Sequence, residues 1–70
     1  MTSIESSISG RIIAVLVHPG DQVAPGTPLL IVDCMKTEIP VEAETAGVVS
    51  EVLFAEGEEV KEGQIVVVLA

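Results

Sequence analysis

Lysine is scarce in this chain: Lys36 and Lys61 are the only two in 70 residues. A lysine amine that has lost its proton is a nucleophile open to acylation, and the two sit in different settings. Lys61 lies in a turn rich in glutamate, whereas Lys36 stands in Asp33-Cys34-Met35-Lys36-Thr37-Glu38, between two extended runs. Those runs, 29–34 and 37–43, must reverse within about two residues, which leaves Met35-Lys36 as the apex. Two-residue hairpin turns want φ > 0, which Asn-Gly or Asp-Gly supply readily and Met-Lys does not. A sequence that breaks a local rule without evident need points to a functional constraint. The plain alternative is a solvated lysine on a hairpin tip.

The other reactive side chains carry less. His18 precedes Pro19-Gly20 in a turn, where a solvated loop histidine outweighs a general base. Cys34 flanks the apex, but no positive cluster is there to favour its thiolate, so a small residue filling a tight strand position outweighs a reactive thiol. Glu56, Glu58, Glu59 and Glu62 crowd two turns and read as a solvated face rather than an acid/base pair. One cysteine makes no internal disulfide, no paired metal ligands are visible, and a reducing cytoplasm is the natural compartment.

An internal repeat supplies the elements that position Lys36. Shifting the chain by 37 residues pairs all six glycines, Gly10 with Gly47, Gly20 with Gly57 and Gly26 with Gly63. Val15, Leu16 and Val23 recur as Val52, Leu53 and Val60, and no gap is needed from Gly10–Asp33 through Gly47–Ala70. Short Val- and Ile-rich runs bounded by Gly and Pro argue strands, and no Gly- and Pro-free stretch keeps a helical apolar stripe. Strands are expected near 3–8, 11–17, 29–34, 37–43, 48–54 and 64–70, with brief extended pieces at Val23 and Val60.

Ser50 and Glu51, two consecutive polar residues between Val49 and Val52, predict a β-bulge that turns Val49, Val52 and Phe54 inward. The repeat carries this to Ile12, Val15 and Val17, and Leu29 with Ile31 and Val66 with Val68 complete the expected core. The two halves can bury their apolar faces only against each other. The expected fold is all-β, a flattened β-barrel or sandwich of two four-stranded halves related by a pseudo-two-fold axis. It forms a single domain over 1–70, with halves near 4–33 and 41–70 and the hairpin 34–37 between them. The same shift maps Lys36 just past Ala70, so the lysine is expected at the end away from both termini.

Composition narrows the partners. Three basic residues against 11 acidic ones give a net charge of −8, which excludes nucleic acid and an anionic membrane as partners. At 49% apolar residues the chain is too hydrophobic for a disordered acidic tail. The longest apolar runs, Ile12 to Val17 and Ile65 to Ala70, are six residues long, against the roughly 20 of a membrane helix. Residues 1–9 do not read as a signal peptide. Without Trp or Tyr there is no aromatic platform for bases or sugars.

Asp33-Cys34-Met35-Lys36-Thr37-Glu38 resembles the attachment motif of biotinyl (biotin carboxyl carrier) domains, of the biotin/lipoyl attachment family. Gly10 with Ile12, His18-Pro19-Gly20-Asp21-Gln22-Val23 and Gly26 look like that family's first half. Ala46-Gly47-Val48-Val49, Glu56-Gly57-Glu58-Glu59-Val60 and Gly63 look like its second. The resemblance implies biotin, covalent on Lys36, with Met35, Cys34, Thr37 and Glu38 recognised by the ligase or partners. Cys34 stands where Ala is usual and Thr37 where Met is common. Met35 favours biotin over lipoate, whose carriers usually present Asp-Lys. The short link from His18 to Val23 implies the thumbless form.

The implied function is that of a carrier, not a catalyst. A biotin protein ligase would deliver biotin as its adenylate to the neutral Lys36 amine. A biotin carboxylase would load CO2 onto the ureido nitrogen as carboxybiotin, and a carboxyltransferase would pass it on. An acyl-CoA, acetyl-CoA foremost, is the expected acceptor, as in fatty acid biosynthesis, with propionyl-CoA, pyruvate, urea and malonate systems using similar carriers. Two other classes stay open: a lipoyl carrier of a 2-oxo acid dehydrogenase or glycine cleavage system, and an unmodified acidic β interaction module. The domain itself is expected to be monomeric, and Met1 with an end on the last strand favours a complete small protein. Residues 1–35 hold one Arg and three acids, and 36–70 hold two Lys and eight acids, so partner surfaces should be basic or neutral.

Overall fold

The computed structural model describes residues 1–70 and is all-β. The strands are β1 (Thr2–Glu5), β2 (Gly10–Val15), β3 (Gln22–Val23), β4 (Pro28–Cys34), β5 (Thr37–Glu42), β6 (Gly47–Val52), β7 (Glu59–Val60) and β8 (Ile65–Leu69). They form two four-stranded antiparallel sheets, ordered β1-β8-β6-β3 and β5-β4-β2-β7. No helix is long and apolar enough to cross a membrane.

Neither sheet belongs to one copy of the repeat. The short strand β3 of the first copy joins β6 and β8 of the second, and β7 of the second joins β2 and β4 of the first. Backbone hydrogen bonds make the same exchange. The Gly20 N–H donates to the Val49 carbonyl at 2.8 Å, and its repeat partner Gly57 donates to that of Ile12 at 2.7 Å. Asp21 accepts from the Val49 N–H as Glu58 accepts from that of Ile12, through their backbone carbonyls. The halves are laced through each other, so neither can form its sheet alone.

The bulge expected at Ser50-Glu51 is present. Register skips Ser50 between Val49 and Glu51, both polar side chains are exposed, and Val49 is buried with Val52 and Phe54 packed on the core. Its repeat partner Ile13 is skipped in β2, which buries Ile12 and Val17 and half-buries Val15.

The closing strands differ from simple alternation. Leu29 is buried as expected, but Ile31 is half-exposed, while Leu30 and Val32 are fully buried. A second pair of bulges explains this: pairing skips Leu29 between β4 and β5, and Val66 between β8 and β1. A skipped residue breaks the two-residue period, so its neighbour also faces inward. Val66 and Val68 are buried as expected, and Val67 and Leu69 join them. Each fully buried Leu or Val side chain contributes about 1.5–3 kcal/mol.

The first strand ends at Glu5 rather than near residue 8. Ser6, the one buried polar residue, turns the chain there. Its hydroxyl donates to the Ile8 carbonyl at 2.6 Å and accepts the Ile8 N–H at 3.3 Å. Its backbone donates to Gln64 and accepts from Gly63, so this buried polar site is satisfied.

Candidate functional site

The hairpin between β4 and β5 grows out of a ladder of six residue pairs that ends at Cys34 with Thr37. Beyond it Met35 and Lys36 have φ of 51° and 68°, both in the left-handed region, the signature of a type I′ turn. These are the only residues other than glycine with positive φ. The conformation costs an L-residue of order 1 kcal/mol, and the ladder beneath holds it. Pro40 lies opposite Ile31 on the outer strand β5, where its missing N–H leaves no interior ladder bond unmade.

Met35 is 93% exposed and Lys36 is exposed beside it. The one contact within 4.0 Å between a basic and an acidic side chain is His18 Nδ1 with Asp21 Oδ2, at 3.8 Å, so no carboxylate engages the Lys36 ammonium. Cys34 is a half-buried free thiol, and Thr37 and Glu38 are exposed. Across the sheet, Glu38, Asp33, Arg11 and Glu59 face one another strand by strand in a single row, a mostly acidic band near the hairpin's base.

The remaining sequence candidates serve the turns. His18 is exposed, and its backbone N–H donates to Asp21 Oδ2 at 2.8 Å. The repeat partner of that bond runs from the Ala55 N–H to Glu58 Oε1 at 2.7 Å. Likewise the Ala24 N–H donates to Thr27 Oγ1, and the Lys61 N–H to Gln64 Oε1. Glu58 is thus a turn-forming residue, while Glu56, Glu59 and Glu62 are exposed.

Two features near the hairpin escape sequence reasoning. At Gly10 the chain passes tightly against β4: a Cβ there would overlap the Asp33 carbonyl oxygen and lie 2.8 Å from Val32 Cγ1. Beside it runs a groove of about 540 Å³ whose lining includes Asp33, Cys34, Phe54, Lys61 and Gln64. Asp33 is half-buried, and its Oδ1 is buried without a hydrogen-bond partner. The repeat was the available signal for the groove, since it aligns residues 59–64 with 22–27 and so invites comparison of the two edges.

Residues 1–69 match the family described as "Biotin-requiring enzyme". The chain is 34% identical over 67 residues to the biotinylated protein TB7.3 homolog of Mycobacterium leprae, covering 96% of this chain and 94% of that one. It is 35% identical to the biotin/lipoyl attachment protein of Bacillus subtilis, covering 97% and 93%. Among solved structures, the urea carboxylase of Kluyveromyces lactis superposes with a TM-score of 0.92 at 32% identity, over 99% of this chain and 6% of that one.

Proposed function

The chain belongs to the biotin/lipoyl attachment family, and from that premise we propose that its 70 residues act as one biotin carboxyl carrier module with Lys36 as the residue that bears the biotin. One observation supports the choice of lysine above the rest. Met35 and Lys36 occupy the two left-handed positions of a turn that Asn-Gly would fill at lower cost. Retaining a long, basic, exposed side chain there has a use if the side chain must be offered to other proteins. Lys61, by contrast, sits in a turn whose geometry is set by Gln64.

Attachment forms an amide. The Lys36 Nζ, once its first proton is lost to the ligase, would attack the carboxyl carbon of the biotinyl adenylate; AMP leaves with the electron pair of the broken carbon–oxygen bond, and the second nitrogen proton goes to solvent. Lysyl stem and valeryl chain give a reach on the order of 12–14 Å. Bound biotin supplies a ureido nitrogen that can carry a carboxyl group. The chain's own part is placement: a rigid ladder holds the attachment point, and tethering keeps the group at high effective concentration near successive active sites.

Biotin protein ligase, biotin carboxylase and carboxyltransferase are the partners this reading requires, in the cytoplasm, with the carrier itself monomeric. Met35, Cys34, Thr37 and Glu38 are the residues a ligase or partner would grip. The carboxyltransferase, not the carrier, selects the acceptor. Acetyl-CoA is the acceptor to assay first, and urea second given the likeness to the urea carboxylase.

The test is intact mass after co-expression with a biotin ligase and, separately, with a lipoate ligase. The expected result is one biotin-sized increment that survives Lys61→Arg and vanishes in Lys36→Arg. A lipoate-sized increment would reassign the cargo, and no increment under either ligase would remove the carrier reading.

A further inference from the structure

The repeat builds the same groove twice, once against the β2–β7 ladder and once against its partner β6–β3. The copies differ in what lines them. Where one has Ala46, Ala24 and Thr27, the other has Ser9, Lys61 and Gln64, and the hairpin-side groove alone adds Asp33, Cys34 and Phe54. Repeat-related positions therefore carry longer polar side chains, and an aromatic wall is added, only on the side that carries Lys36.

These polar groups keep complementary hydrogen-bonding capacity. Asp33 Oδ1 is a buried acceptor with no donor. Gln64 uses Oε1 to accept the Lys61 N–H, which leaves its amide N–H groups to donate. Ser9 Oγ accepts the Glu62 N–H at 2.9 Å, which leaves its hydroxyl proton. No carboxylate lies within 4.0 Å of the Lys61 ammonium. An acceptor without a partner and several exposed donors in the lining of one groove, beside an aromatic wall, suit a ligand that offers N–H groups flanking a carbonyl on an otherwise apolar ring. A ureido ring fused to a thioether ring has that chemistry.

We propose that this groove is a seat for the biotin ring carried by Lys36 of the same chain, an inference that rests on the attachment reading above. A ureido N–H donates to the Asp33 carboxylate, the ureido oxygen accepts from Lys61 or Gln64, and the apolar ring lies on the half-buried Phe54. Asp33 is three residues from Lys36 and Met35 itself lines the groove, so an arm of about 12–14 Å can fold back into it. The domain thereby holds its arm against its own surface between encounters with partners.

Amide spectra of isotope-labelled protein before and after biotinylation test this, with intact mass first establishing that the increment is present. Without the increment, the attachment reading itself fails. With it, the expected result is shifts at Gly10, Asp33, Phe54, Lys61 and Gln64, with through-space contacts from ring protons to Phe54. The equivalent positions Gly47, Ala24 and Thr27 should stay still. Asp33→Ala and, independently, Lys61→Ala should each remove at least half of the groove shifts while leaving those at Met35 and Thr37. Shifts confined to residues 34–38 in the wild-type protein would overturn the proposal.

Discussion

Two ladders of this molecule are the same object in different circumstances. Thr2 faces Leu69, Ile4 faces Val67 and Glu5 faces Ile65 across β1 and β8. Their repeat partners Ile39 with Val32, Val41 with Leu30 and Glu42 with Pro28 face each other across β5 and β4. Even the skipped residues correspond, Val66 in one and Leu29 in the other. The first ladder ends in the two chain termini, and the second runs on through Cys34 and Thr37 into Met35-Lys36. The difference isolates what the turn adds, because scaffold and packing are matched by the repeat. A symmetric frame has been broken at one place, and the proposed attachment lysine stands at the break.

Substitutions at paired positions can break or sharpen that comparison. The largest expected effect is at Gly10. Gly10→Ala drives a Cβ into the Asp33 carbonyl and should cost about 3 kcal/mol in denaturant unfolding. Gly47→Ala meets Leu69 Cβ and Cδ1 at 3.2 and 3.3 Å and should cost about 1 kcal/mol, since a shift of a few tenths of an ångström relieves both contacts. Equal losses would show that the two β-crossings are not differently packed. Next come Gly20→Ala and Gly57→Ala. Both glycines have open space around them and φ near +90°, at 98° and 90°, so each should lose about 1 kcal/mol, and unequal melting shifts would count against equivalent turns.

A gain is expected at the hairpin. Met35→Asn with Lys36→Gly supplies preferred type I′ chemistry and should stabilise by about 1 kcal/mol, seen as a raised melting temperature in a protein that no longer accepts biotin. A destabilised variant would mean that Met35 or Lys36 contributes packing the exposed tip does not suggest. The smallest effects belong to the turn acceptors. Asp21→Ala and Glu58→Ala each lose one hydrogen bond to a backbone N–H and should cost about 0.5–1 kcal/mol apiece, measured in the same unfolding assay. A loss at only one would separate turns that the geometry makes alike.

What the sequence made legible follows from the kinds of signal involved. The 37-residue frame was visible because left-handed and crowded positions are filled by one residue type, glycine, in both copies. The acceptors Asp21 with Glu58 and Thr27 with Gln64 perform matched tasks with different side chains, so an identity-based comparison passes over them. The bulge at Ser50 showed itself because a polar pair interrupts an apolar strand. Those at Leu29 and Val66 sit in continuous apolar runs and leave no such mark. Exchange of β3 and β7 between the sheets is a tertiary choice made by two-residue strands. The hairpin apex was legible because two extended runs left it nowhere else to go. Asp33 was not, because a missing hydrogen-bond partner is a property of surroundings rather than of a residue.

The pairing of Thr2 with Leu69 also has a mechanical consequence. Chain ends that leave side by side from an antiparallel ladder are pulled apart along its hydrogen bonds. Tension applied between them therefore loads one bond at a time, as in a zipper, instead of shearing the whole row. Hung from one end only, the molecule feels no such opening force, and its β1–β8 seam stays shut while it moves.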